Sequence, residues 1–255
     1  MCEFFSFVTE PENNGGKRFY FDWEFRKANI QLENDSHSLI CKHYKLDEDV
    51  CNKYEFNPLT KVFKVDQANS PVDDRIQAEE WVNKLDFKRV VEPLIIKPIV
   101  NPFGLPKVTK ITPEMISLLK QWASVGTSVW TSVGASVVDS VVDSVGASVK
   151  ASVVTSVWTS VWDSVGASVR ASVGTSAWAS VWAYYASFFD IQYKYNFTLC
   201  VKLWEAGLVP SYDGTTWRLH SGKNADVVFS ITKEELDKID GVCAYKNPDK
   251  RRRNE

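Results

Sequence analysis

The fold class this sequence predicts is a pair of small α+β domains flanking a tetrapeptide-repeat β-solenoid. The alternative is a long α-helical rod or helical hairpin through the repeat. Three observations lead there. From Ala123 to Trp182 the chain keeps a four-residue unit, [Ala/Thr/Asp]-Ser-Val-x, for fifteen copies. That 60-residue segment carries only five charges, against 57 in the other 195 residues. Both flanks mix hairpin turns with helix caps.

The columns of the repeat differ in tolerance. Serine fills the second column in all fifteen units, and valine the third in all but one, where Ala177 stands. The first column holds seven Ala, five Thr and three Asp; the fourth holds five Gly, five Trp, three Val, Lys150 and Arg170. A constant valine column beside a variable one reads as inside and outside, because a close-packed interior does not accept side chains so unequal in volume. In an uninterrupted α-helix four residues advance about 400°, so the valines drift by about 40° per unit and wind around the rod. Strand geometry keeps columns one and three on one face and two and four on the other. Short strands with corners, stacked in register, make a solenoid. Asp139, Asp143 and Asp163 in column one oppose this, since a buried carboxylate must be paired.

The flanks follow in order. Glu3 to Thr9 and Lys17 to Asp22 read as strands around Pro11-Glu12-Asn13-Asn14-Gly15-Gly16. Asp35 or Ser36 caps a helix through Tyr44. Cys51 to Phe56 and Lys61 to Val65 flank a second turn at Asn57-Pro58. Asp73 to Leu85 reads as an amphipathic helix with Ile76, Trp81 and Leu85 inward. Pro93 and Pro98 keep 90–100 extended. Thr112-Pro113-Glu114 starts a helix that runs into the repeat. After the bulky stretch Ala183 to Phe189, a helix from Thr198 stops at Gly207. A hairpin turns at Asp213-Gly214, with Trp217 to His220 returning. Thr232 and Glu235 form a capping box. The boundaries are 1–108 for the first domain, 109–190 for the helix-capped repeat, 191–245 for the last domain, and 246–255 for a basic tail.

Thirty basic and 32 acidic side chains leave a net charge of −2, which excludes a strongly basic nucleic-acid binder. Nucleic-acid affinity is confined to the tail, Lys250 to Arg253. Five cysteines, an odd number with no CxxC pair, point to reduced thiols in a cytoplasmic protein. The opening residues lack the basic and apolar regions of a signal peptide. The two uncharged runs, Gln121 to Val138 and Ala171 to Phe189, hold a serine at every fourth position, so no membrane span is expected.

Chemistry is sparse. With Met1 removed, Cys2 would carry a free amine beside its thiol, the arrangement of N-terminal nucleophiles. His37 lies in Asp35-Ser36-His37-Ser38, an acid, hydroxyls and a base that are neighbours in sequence. A hydrolase or transferase using Cys2 and His37 is therefore one alternative. His37, Cys41, His43 and Cys51 do not close a metal site, because His43 falls about 120° from His37 around a helix. No cofactor or metal is expected. Trp217 and Leu219 read as inward, Arg218 and His220 as solvated. The five repeat tryptophans, Trp130, Trp158, Trp162, Trp178 and Trp182, would form an aromatic binding surface on an outward column.

The repeat resembles xSVWxSVRxSVG arrays of uncharacterised phage and gut-bacterial proteins. The flanks share features with them: Met1-Cys2-Glu3-Phe4, Asp35-Ser36-His37-Ser38, and Leu203-Trp204-Glu205-Ala206-Gly207-Leu208-Val209-Pro210 with Asp213-Gly214 and Trp217-Arg218-Leu219-His220. The resemblance implies a phage-related origin and carries no activity. The expected function is a non-enzymatic scaffold that binds a protein partner or self-associates through the repeat; a structural oligomer is the remaining alternative.

Overall fold

The computed structural model describes residues 5–11, 17–21, 37–87, 94–126, 152–191, 193 and 195–239. Contacts divide the chain into two units. The first takes its described residues from Met1–Ile99, Ala135–Ser168 and Tyr185–Tyr193, the second from Val100–Gly134, Val169–Tyr184 and Lys194–Glu255.

The first unit holds an antiparallel sheet of β1 (Phe5–Pro11), β2 (Lys17–Tyr20), β3 (Asn52–Asn57) and β4 (Val62–Gln67), in the order β2-β1-β3-β4. Its helices include α1 (His37–Tyr44) and α2 (Arg75–Val82). Phe5, Phe7, Tyr54 and Phe56 of the central strands are all at most 2% exposed. The outer strand β4 is largely exposed, and its pairing with β3 shifts register between Lys53 and Tyr54. Such a bulge, with Lys64 exposed beside it, blunts a sheet edge. Ile76 of α2 is 68% exposed, contrary to the amphipathic reading; Ala78 and Val82 are the residues buried. The reason lies one residue before the helix. The Asp74 side chain is held inside by Thr9, Asn52 and Tyr54, and positions 74, 78 and 82 share a face. That anchor turns Ile76 outward.

The second unit holds α3 (Pro113–Gly126), which continues into the first repeat unit at Ala123. The repeat resumes in α4 (Ser152–Val161), of the first unit, which is followed by a π-helical segment, Trp162–Gly166, and then by α5 (Ala167–Val173). Gly174, at φ 85°, breaks the helix, and α6 (Trp178–Ala186) follows after one 3-10 turn. The second unit is completed by α7 (Thr198–Glu205), a three-stranded antiparallel sheet of β5 (Val209–Tyr212), β6 (Thr216–Ser221) and β7 (Asp226–Thr232), and α8 (Lys233–Lys238). Thr232 and Glu235 form the reciprocal capping box of α8.

The solenoid is thus corrected: every described stretch of the repeat is helical or a short break between helices. A drift of about 40° per unit holds only for unbroken α geometry. A π turn takes about 4.4 residues instead of about 3.6, so a period of four lies midway, and one π segment rewinds what the α turns advance. Val157, Val161 and Val165 of the first unit accordingly stay buried, at 0%, 0% and 1% exposed, and Val169 of the second is 0% exposed. Serine hydroxyls return to carbonyls of the preceding turn, as Ser124 does to Gln121 O (2.7 Å) in α3 and Ser176 to Val173 O (3.2 Å) in the 3-10 turn, which satisfies the hydroxyl without adding helix propensity. Tertiary burial of the valine seam outweighs the modest helix propensity of Val, Ser and Thr. Asp163 is exposed, so the carboxylate that opposed a buried first column meets no low-dielectric interior.

Gly166 is fixed by a neighbour. A Cβ there would stand 2.5 Å from Cε3 of Trp162, whose indole lies over it. Gly166→Ala should therefore displace the indole and lower thermal stability by about 1–3 kcal/mol, as overpacking does. In a Trp162→Ala background the same change should be neutral or stabilising by up to about 1 kcal/mol, the helix propensity gain. Thermal unfolding of the four proteins of this double-mutant cycle reads both; equal costs in both backgrounds would refute the contact.

Candidate functional site

Three arrangements bear on function: the repeat tryptophans, the polar centre at Asp74, and a serine–histidine pair in the second sheet. Trp130 and Cys2 lie outside the described residues. Trp158 and Trp162, in the first unit, stack at 5.8 Å and 20°, and Trp158 meets Tyr185 edge-on at 5.3 Å. In the second unit Trp178 and Trp182 meet at 6.3 Å and 90°, and the Arg170 guanidinium lies 5.5 Å from the Trp178 ring. All four indoles are half-buried. The variable column therefore lies beside the valine seam, where each ring keeps one part against protein and one part open.

Neighbouring serines fasten the helices. Ser160 Oγ accepts from Asn57 Nδ2 at 2.7 Å inside the first unit, and Ser180 Oγ donates to Pro210 O at 2.8 Å inside the second. Both serines are buried, at 6% and 1% exposed. Tyr184 stacks on Trp204 at 4.6 Å, its hydroxyl accepts from Val100 N (2.6 Å), and burial pushes its pKa up to about 12. Trp204 Nε1 donates to Val100 O at 2.8 Å.

His37 is the first residue of α1, and it is 7% exposed. A carbonyl can only accept, so Nε2 donates to Tyr54 O (2.9 Å) and Nδ1 faces Asp66 Oδ2 at 3.4 Å. Ser38 Oγ, the neighbouring hydroxyl, donates instead to Glu48 Oε1 at 2.7 Å. His37 and Ser38 therefore do not converge on one another.

The Asp74 carboxylate accepts from Thr9 Oγ1 (2.5 Å), Asn52 Nδ2 (2.8 Å) and the Tyr54 hydroxyl, and Asp74 is 3% exposed. Burial, reinforced by the bond to this carboxylate, holds the Tyr54 phenol well above its ordinary pKa. With three donors from two strands, the carboxylate ties β1 and β3 to the start of α2. An Asp just before a helix reads from sequence as an N-cap, which is why this role was not foreseen.

Ser211 and His220 form a pair that sequence reasoning missed. Ser211 is registered with Arg218 and Val209 with His220, so both side chains share one face of the hairpin. Nδ1 of His220 donates to Ala225 O (3.1 Å); Nε2 is then the acceptor, and Ser211 Oγ donates to it at 2.8 Å. Ala225 sits in the left-handed region at φ 51°, a conformation its surroundings must hold. Hydroxyl, imidazole and orienting carbonyl are the parts of a base-activated nucleophile. Yet Ser211 is 2% and His220 8% exposed, so the pair closes the sheet interior and presents no nucleophile at the surface. The expectation that His220 is solvated is thereby corrected. The observed register is centred on Gly214-Thr215, one residue later than the Asp213-Gly214 turn read from the sequence, so counting outward from that turn does not bring Ser211 to His220.

Among the described residues no three His, Cys, Asp or Glu side chains are grouped to hold a metal ion, and no helix is long and apolar enough to cross a membrane. No family model, curated protein or solved structure matches the chain.

Burial holds the His220 imidazole below its ordinary pKa of 6.5, and the Arg218 charge acts the same way, against the bond to Ala225. The unfolded chain takes up this proton more readily than the folded one. The stability it contributes is complete above pH 6.5 and is lost as pH falls below that value. Urea midpoints measured at about pH 7.5 and about pH 5.5 should drop more for the wild type than for His220→Gln. Equal drops would show that this histidine is not the titrating group.

Proposed function

We propose that this chain is a non-enzymatic, phage-type scaffold, acting in the cytoplasm, that binds a protein partner or itself through the tryptophans of its repeat. The observation that carries this reading is the half-burial of Trp158, Trp162, Trp178 and Trp182. Tryptophan anchored on one side and open on the other supplies large apolar area at little entropic cost, and such residues dominate protein interfaces. The polar groups that do converge, at Asp74 and His220, are shut inside and hydrogen-bonded, which favours binding over catalysis. The phage-related origin rests on the resemblance of the repeat and its flanks alone. For the rival hydrolase, His37 donates to a main-chain carbonyl and faces a carboxylate, an arrangement that holds the ring in place.

Trp158→Ala/Trp162→Ala should weaken association about tenfold or more, as loss of an aromatic hot spot does. Light scattering across a concentration series reads self-association, and affinity capture from a host lysate reads a partner. Far-UV spectra and melting temperatures separate lost contact from lost fold. A folded double variant that matches the wild type in both assays would sink the reading.

A further inference from the structure

Two cysteines meet inside the first unit. Cys41 lies in α1, and Cys51 immediately precedes β3. Together with Val8 and Ile40 they form one apolar cluster, flanked by Tyr20, Tyr44 and Leu46. Both are free thiols, 2% and 0% exposed, and the two side chains share that one small buried cluster. The turn between them is fixed by main-chain bonds, Leu46 N to Cys41 O (2.9 Å) and Val50 N to Asp47 O (3.3 Å). One sulfur is thus positioned by a helix and the other by the head of a central strand.

We propose that Cys41 and Cys51 are a redox pair that a small-molecule disulfide converts to an internal disulfide bond. One thiolate attacks the small disulfide RSSR, forming a mixed disulfide and releasing RS⁻. The second thiolate attacks the protein sulfur of that mixed disulfide and releases the other RS⁻. Two cysteine S–H bonds are lost, one S–S bond forms, and two RSH leave. The protein gives up two electrons and two protons, and RSSR is reduced. The product staples α1 to the start of β3, beside Asn52, which holds Asp74.

Reactivity is gated by the same core. Burial is the main cause that raises both thiol pKa values, that of Cys51 to about 12. Thiolate is scarce, so exchange is slow, and reaction waits on local opening of the cluster. Cys200 is the internal control. It is equally buried and its thiol is likewise pushed up to about 12, but it lies outside the cluster that holds Cys41 and Cys51.

The test uses the full native chain incubated with oxidised glutathione at about pH 8.5, where thiolate is more available. Acid quenching, alkylation in denaturant, intact mass and peptide mapping follow. Peptide mapping should show a Cys41–Cys51 cross-link whose two peptides have together lost two hydrogens, with Cys200 alkylated and the cross-link reversed by dithiothreitol. Its urea midpoint should exceed that of the reduced protein, because the cross-link restricts the unfolded chain. Cys51→Ala should abolish the cross-link and leave Cys200 unchanged. The proposal is overturned if glutathione stays attached to Cys41 or Cys51, if either joins a different cysteine, or if both remain alkylatable after prolonged incubation.

Discussion

Keeping one column of valines buried along a chain whose period is four is the constraint on which the rest of this structure depends. Straight α geometry would carry each successive valine further around the helix. The chain answers with a π segment at Trp162–Gly166 and a break at Gly174, and Val157, Val161, Val165 and Val169 are each buried. Other features of the repeat follow from that seam. The serine before each valine is next to the interior, so Ser160 and Ser180 reach flanking backbone and side chains, while Ser164 and Ser168, farther from such partners, are exposed. The residue after each valine lies at the margin, which is where indoles can be half-buried and where Gly166 must be small.

The flanking sheets are organised around polar groups rather than apolar ones alone. Asp74 decides which face of α2 turns inward, even against an isoleucine. His220, oriented by the Ala225 carbonyl and bonded to Ser211, fills the interior of the second sheet. Each of these groups is expensive to bury alone and acceptable only when satisfied, so each enforces one register and one rotamer.

Local signals were the legible part. Turn residues at Asn57-Pro58 and Asp213-Gly214, proline at the start of α3, the capping box at Thr232, and Gly207 beyond α7 mark elements that form where those residues stand. What stayed hidden needed tertiary partners. Ile76 looks inward by hydrophobicity and is exposed because of a bond made by Asp74 to strands distant in sequence. Strand β7 was not foreseen. The repeat was misread because periodicity was compared with a pure α-helix and a pure strand, while the molecule mixes two helical pitches. Of the candidate site, the tryptophans were visible as a varying column; their half-burial and the Ser211–His220 pairing required the packed chain.

The π segment also bears on how such a repeat survives its own genetics. A twelve-nucleotide insertion or deletion in the gene keeps the reading frame and adds or removes one tetrapeptide. Inserted into uniform α-helix, each new unit would rotate everything after it and bring a different face to the core. A helix that can convert one α turn into a π turn absorbs the added rotation locally, at a place where Gly166 leaves room for the shifted indole.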